Sequence, residues 1–322
     1  MSPDTIVALS TPVGRSSISV IRLSGAMSLE LANKLSRSRA PFIDRQAIFL
    51  PIYIENSEII DEAIYTLYKS PASYTGEDII EISCHGNPVI VGSVLDRLCH
   101  YGARVALPGE YTKRAFINGK MDLIQAESVG LLVSAKSKDA AKQQIKNLSG
   151  ALSRSVSKIR DDLLYCLSTL EYEFDISENE SVLPELINNS FKTINNNILA
   201  CENLIESYVG GRLLNRGARV VIYGNPNVGK STLLNALLEK DRAITSELPG
   251  TTRDTVDADI VLGGVPVTLI DTAGIRSTSS GVESSGIQRS LDEIKKVDIL
   301  INVVTGKDGG RKKTQKKDII TV

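Results

Sequence analysis

The stretch Gly224-Asn225-Pro226-Asn227-Val228-Gly229-Lys230-Ser231 constrains this chain more than any other, because its glycines, lysine and hydroxyl stand at the spacing of a phosphate-binding loop. Backbone N–H groups must close around phosphate oxygens, and a side chain at Gly224 or Gly229 would block that approach. Lys230 can then reach the β- and γ-phosphates, Ser231 can ligate Mg²⁺, and a helix starting there points its positive dipole end at the anion. The flanks agree. Ala218 to Tyr223 reads as a strand, Lys230 to Leu238 as a helix, and Val256 to Val261 and Val265 to Ile270 as strands joined across Gly263-Gly264. A helix around Ser284 to Lys295 and a strand from Asp298 to Val304 extend the pattern, which is that of an α/β nucleotide domain.

The loop alone does not separate ATP from GTP, and two downstream motifs make that distinction. Gly250-Thr251-Thr252-Arg253-Asp254 sits where a threonine can cover a γ-phosphate and its Mg²⁺, as a first switch does. Asp271-Thr272-Ala273-Gly274 follows an apolar strand; Asp271 suits the outer Mg²⁺ shell and the Gly274 amide suits the γ-phosphate. The residue after Gly274 is Ile275, which cannot orient a water through its side chain, so another group must. Glu283 is the nearest downstream carboxylate, although an acid just before a helix at Ser284 is equally explained by the helix dipole.

The chain has 322 residues, enough for two or three domains. Residues 1–118 mix short β-rich runs (Ile6 to Leu9, Ile18 to Ile21, Ile79 to Ile82) with a helical pattern from Val89 to Leu98, an α+β domain. Residues 119–215 carry leucines at helical spacing, and a second helical segment from Leu186 to Val209 is expected to end at Gly210-Gly211. Residues 216–322 form the P-loop domain. The run Gly309-Gly310-Arg311-Lys312-Lys313 to Lys316-Lys317 reads as a solvated basic tail.

Lys plus Arg number 37 against 38 Asp plus Glu, so no global positive field announces nucleic-acid binding. Cys84, Cys99, Cys166 and Cys201 lack C-x-x-C spacing and read as buried, reduced structural thiols. His85 and His100 each follow a cysteine, but neighbours on a strand or helix point apart and cannot chelate one ion, so neither pair is expected to hold a metal. No basic segment leads into an apolar run and nothing approaches the length of a membrane helix, so a soluble, cytoplasmic protein is expected.

The sequence resembles the MnmE (TrmE) family of tRNA-modification GTPases up to about Val304. The likeness rests on Asp4-Thr5-Ile6-Val7-Ala8, Thr11-Pro12-Val13-Gly14-Arg15, Ser73-Tyr74-Thr75-Gly76-Glu77-Asp78 and His85-Gly86. It continues through Pro108-Gly109-Glu110-Tyr111, Arg114-Ala115-Phe116 and Asn118-Gly119-Lys120-Met121-Asp122-Leu123. The resemblance implies a homodimer through a folate-binding N-terminal domain, a central helical domain, and a GTPase domain inserted in the helical one. It also implies a heterotetramer with the flavin-dependent partner MnmG (GidA), which together with this protein would modify C5 of the wobble uridine U34 in certain tRNAs. The one-carbon donor would be 5-formyl- or 5,10-methylene-tetrahydrofolate, touched by Arg22, Glu81 and Lys120.

The family is K⁺-activated, and the K⁺ positions fall on Asn227, Ser246, Leu248 and Thr251. Ser231 and Thr252 would ligate Mg²⁺, and Glu283 takes the position of the water-orienting acid, with Lys230 on the phosphates. The nucleotide and its ions would touch Asn227, Val228, Gly229, Lys230, Ser231 and Thr232, then Ser246, Glu247, Leu248, Pro249, Gly250, Thr251 and Thr252, then Asp271, Thr272, Ala273 and Gly274. The sequence departs from the family in lacking an [NT]-K-x-D guanine motif, since Thr305-Gly306-Lys307-Asp308 follows its strand too soon. It also lacks a terminal C-x-G-K and the last strands. A C-terminally truncated copy is therefore expected, with the basic tail in place of native sequence. The alternatives are a non-catalytic, folate-binding, dimerising remnant, and a ribosome-assembly GTPase such as Era or Der, which leaves the first 118 residues unexplained.

Overall fold

The computed structural model describes residues 4–54, 58–175, 184–224, 228–240, 257–271, 297–304 and 319–321. The chain divides into two compact units, Met1–Gly130 and Leu131–Val322.

The first unit is built on a six-stranded sheet. In sequence order its strands are β1 (Ile6–Leu9), β2 (Ile18–Ser24), β3 (Ala47–Tyr53), β4 (Ile59–Tyr68), β5 (Ile79–His85) and β6 (Arg104–Val105), arranged β3-β4-β5-β2-β1-β6. All neighbours are antiparallel except β1 and β6. Alternation sorts the faces: Ile21 and Leu23 of β2, Ile80 and Ile82 of β5 and Tyr65 of β4 point into a core closed by α1 (Ser28–Ser36) and α2 (Pro88–His100). Arg22 and Glu81 fall on the opposite face, directly paired in register. Helix α2 starts where Asn87 caps the Val89 amide and Pro88 occupies the first turn. Gly86 is required just before it, since a Cβ there would lie 2.3 Å from the Ser16 carbonyl oxygen. The expected runs at β1, β2, β5 and α2 are present. Strands β3 and β4 were not expected, because Pro51 interrupts the first and Asp61-Glu62 the second. Pro51 is tolerated because β3 is an edge strand.

Helix α3 (Glu110–Ile117) completes the first unit, and α4 (Leu123–Val133) leads out of it. The second unit opens with α5 (Lys138–Leu148), α6 (Ala151–Asp175) and α7 (Pro184–Arg216), whose proline sits at the first helical position. The expected stop at Gly210-Gly211 is wrong: α7 runs 33 residues, straight through both glycines. Each costs only about 1 kcal/mol relative to alanine, too little to interrupt a helix already propagating through many turns. The helix ends instead at Gly217, whose φ of 78° is the left-handed turn that stops a helix. Cys84 and Cys166 are buried, but Cys99 is half-buried and Cys201 is exposed on α7, which corrects the reading of all four as buried.

The second sheet comprises β7 (Ala218–Gly224), β8 (Asp257–Leu262), β9 (Val265–Asp271), β10 (Ile299–Val303) and β11 (Ile319–Thr321), in the order β11-β10-β7-β9-β8. Strand β7 is central and parallel to β9 and β10, so Val220, Val221 and Ile222 are all buried and its sequence is continuously apolar. Strands β8 and β9 form the expected hairpin at Gly263-Gly264, both with positive φ. Helix α8 (Lys230–Lys240) follows β7 and buries Leu234. The basic run 309–317 lies outside the described residues. Beyond it, β11 pairs in parallel with β10, so the sheet carries a strand where the sequence reading ended it in a tail. Three apolar or β-branched residues after a lysine run are too short a signal to read as a strand. The helix expected near Ser284 to Lys295 also lies outside the described residues.

Candidate functional site

Two sites emerge, one in each unit. In the second, the register sets Ile222 beside Asp271 and Gly224 beside Val303, so the carboxyl ends of β7, β9 and β10 converge where ligands bind in open α/β sheets. Gly229 has φ 96°, with nothing within 4 Å of where its Cβ would be. Its carbonyl accepts from the Leu233 amide at 2.9 Å, which fixes the start of α8. The amides of Ser231 and Thr232 belong to the first turn of α8, the end of a helix whose N–H groups point outward and favour an anion. Ser231 and Thr232 are exposed, Val228 and Lys230 half-buried. Asp271 is the last residue of β9. Asn227, Ser246, Glu247, Leu248, Pro249, Gly250, Thr251, Thr252, Thr272, Ala273, Gly274 and Glu283 lie outside the described residues.

In the first unit a cavity of about 450 Å³ opens on the sheet face that carries Arg22 and Glu81, and Lys120 lines it as well. The three residues assigned by resemblance to one ligand are thus brought together. Glu81 Oε1 accepts from Arg22 Nε at 2.9 Å and from Nη2 at 2.6 Å. The Arg22 guanidinium lies 5.7 Å from the ring centres of both Tyr74 and Tyr111, and the Tyr111 hydroxyl donates to the Arg22 carbonyl at 2.5 Å. Burial pushes the Tyr111 phenol well above its usual range, so it stays a neutral donor. Tyr68 is also raised, by burial and then by the Glu81 charge.

Lys120 reaches the cavity through a strap. Asn118 Nδ2 donates to the Thr75 carbonyl at 2.7 Å, Lys120 Nζ donates to the Pro71 carbonyl at 2.9 Å, and a Cβ on Gly76 would come within 3.3 Å of the lysine stem. Behind it, Thr75 is wholly buried and its hydroxyl meets Ser24 at 2.7 Å, while Glu77 takes Ser24 and Arg114. The Ser73-to-Asp78 motif is therefore the wall that holds the cavity's residues in place. Arg45, Tyr68 and Tyr74 also line it, and sequence reasoning missed their role. Nothing in the local pattern of a loop arginine or a strand tyrosine marks it as a lining residue, since pairing across the sheet decides which side chains meet.

An aromatic-walled cavity with excess positive charge fits a flat, conjugated, anionic molecule, which is what a folate is. At the other site the Ser231 hydroxyl, a hard oxygen ligand in the first turn of α8, fits Mg²⁺.

Residues 5–120 match a family model described as the GTP-binding protein TrmE N-terminus, and residues 219–322 match one described as a 50S ribosome-binding GTPase. A protein of Thermotoga maritima named tRNA modification GTPase MnmE is 46% identical over 94% of this chain and 66% of its own length. Its namesake in Pseudothermotoga lettingae is 42% identical over 99% of this chain and 72% of that protein. A third, from Aquifex aeolicus, is 41% identical over 94% of this chain and 67% of its own. The chain thus spans about two thirds of the length of these relatives.

Proposed function

The chain belongs to the MnmE family of tRNA modification GTPases, and from that premise we propose that it hydrolyses GTP to GDP and phosphate in the service of tRNA modification. The observation that carries the reading is the gathering of Arg22, Glu81 and Lys120 into one cavity, on the chain that also bears the Gly229-Lys230-Ser231 turn. Three domains are part of the proposal: 1–118 for folate and dimerisation, 119–215 helical, and 216–322 for the nucleotide.

In this reading the first-turn amides and Lys230 hold the β- and γ-phosphates, and Glu283 orients the attacking water that Ile275 cannot. Ser231 and Thr252 would hold Mg²⁺, and Asn227, Ser246, Leu248 and Thr251 would hold K⁺. When bound, these ions supply positive charge opposite the charge that develops on the transferred phosphoryl group. In the other unit, Lys120 meets the glutamyl carboxylates of 5-formyl- or 5,10-methylene-tetrahydrofolate, while Glu81, oriented by Arg22, accepts from the pterin N–H groups. The protein acts as a homodimer, together with MnmG, on C5 of U34, and in the cytoplasm. None of the described helices is long and apolar enough to cross a membrane.

Comparing GTP hydrolysis in K⁺ and in Na⁺ tests fold, nucleotide and cation together. Faster phosphate release in K⁺, abolished by Lys230→Ala, is expected. Folate binding with no turnover in either salt would replace this reading with that of a non-catalytic binding protein.

A further inference from the structure

The cavity of the first unit holds one cation that the ligand assignment above leaves without a task. Arg45 lies between α1 and β3, in a loop fastened to the end of β4. The Arg45 amide donates to the Leu67 carbonyl at 2.7 Å, and Asp44 Oδ1 accepts from the Lys69 amide at 2.7 Å. Arg45 itself has φ 59°, a left-handed backbone that arginine adopts at a cost, and such residues concentrate where a site over-determines them.

Its guanidinium stacks 5.7 Å from the Tyr68 ring centre, and Nη2 donates to the Ala72 carbonyl at 2.5 Å. Lys120 donates to the carbonyl of the adjacent residue, Pro71. Two cations from distant parts of the chain are thus tethered to consecutive carbonyls of one turn, on one wall of the cavity. Both tethers are neutral carbonyls and cancel neither charge themselves.

The charge count points the same way. Three cations, Arg22, Arg45 and Lys120, line the cavity with a single carboxylate, Glu81. Glu81 takes two hydrogen bonds from Arg22 and neutralises it. Asp44, outside the lining, forms a solvent-exposed ion pair with Arg45 Nε at 3.7 Å, too long for a hydrogen bond and screened by water, so it offsets only part of the arginine's charge. Lys120, and Arg45 with only a loose exposed partner, therefore leave net positive charge facing whatever enters, while Tyr68 and Tyr74 supply aromatic surface beside them.

We propose that Arg45 and Lys120 form a two-cation clamp for the paired carboxylates of the ligand's glutamate, and that Arg45 makes the site prefer a folate carrying glutamate over its pteroate core. The inference rests on the folate reading of this cavity and adds a residue and a specificity to it. A guanidinium presents a planar fork that matches a carboxylate, and the Tyr68 ring and the Ala72 carbonyl pre-set its plane.

The test is a binding titration on the full chain with two probes, 5-formyltetrahydrofolate and the same compound lacking glutamate. Arg45→Gln is expected to weaken binding of the first by at least about tenfold and of the second by less than about twofold, with the melting temperature unchanged. Arg45→Lys, which keeps the charge but loses the fork, is expected to fall between. Equal loss for both probes, or no loss for either while wild type binds, overturns the clamp and leaves the folate reading standing. Wild type that binds neither probe overturns both.

Discussion

The proposed phosphate turn comes from one contiguous stretch and offers backbone amides, whereas the cavity of the first unit is assembled from four separated stretches and offers side chains. In the first case a glycine and a helix start suffice, because each residue brings an identical N–H to the same place. In the second, no short segment means anything alone. Arg22 meets Glu81 only because β2 pairs with β5 in one register, and Lys120 arrives only because Asn118 is bonded to Thr75. The contrast teaches that damage should be local and chemical at the turn but transmitted through packing at the cavity.

The largest effect expected is at the turn. Lys230→Ala should lower GTP turnover by about 10²-fold or more, read as phosphate release, and leave folate affinity untouched. A parallel loss of folate binding would break the separation between the sites. Next comes the cavity's central pair. Arg22→Ala leaves Glu81 half-buried without its cation and should weaken 5-formyltetrahydrofolate binding by about 10- to 100-fold in equilibrium titration, with GTP affinity unchanged. If Arg22→Ala instead only lowers the melting point, the pair serves the fold and not the ligand.

Packing damage far from any ligand sharpens the comparison further. Gly86→Ala drives a Cβ into the Ser16 backbone and should destabilise the first unit by about 2–3 kcal/mol in chemical denaturation, while sparing the nucleotide turn. The smallest effect is electrostatic. Arg104 donates to Glu110 at 2.6 Å and holds its carboxyl down at about 2, against an ordinary 4.5, and Asp4 is lowered by the same arginine. A depressed carboxyl stabilises the fold above its unfolded value and loses that contribution as pH falls through the folded one. The first unit should therefore melt progressively lower between about pH 4.5 and 2, and Glu110→Gln should flatten that slope. A slope unchanged by Glu110→Gln would place the acid sensitivity elsewhere.

Legibility followed the same divide. Strand β7, the glycine turn and α8 were readable because a buried parallel strand is continuously apolar and a phosphate loop has a fixed spacing. Strand β5 and helix α2 were readable for similar local reasons. Strand β3 was not, because Pro51 argues against a strand unless the strand lies at an edge, and edge position is a property of the sheet. The reach of α7 through Gly210-Gly211 was missed because two weak helix formers look like a stop, although their cost is small beside the cooperativity of a 33-residue helix. Strand β11 was missed because Ile319–Thr321 becomes a strand only beside β10.

The sequence by itself pointed to phosphate at Gly229-Lys230-Ser231, since backbone chemistry and spacing leave little else for that stretch to do, and its motifs pointed to the family. Only the tertiary structure decided what surrounds Arg22. Register brought Glu81 opposite it, a pair of tyrosines stacked on it, and one turn of backbone carbonyls fixed Lys120 and Arg45 on the same wall. Contacts between residues far apart in the chain are set by the pairing of whole strands, and that pairing is written in no single one of them.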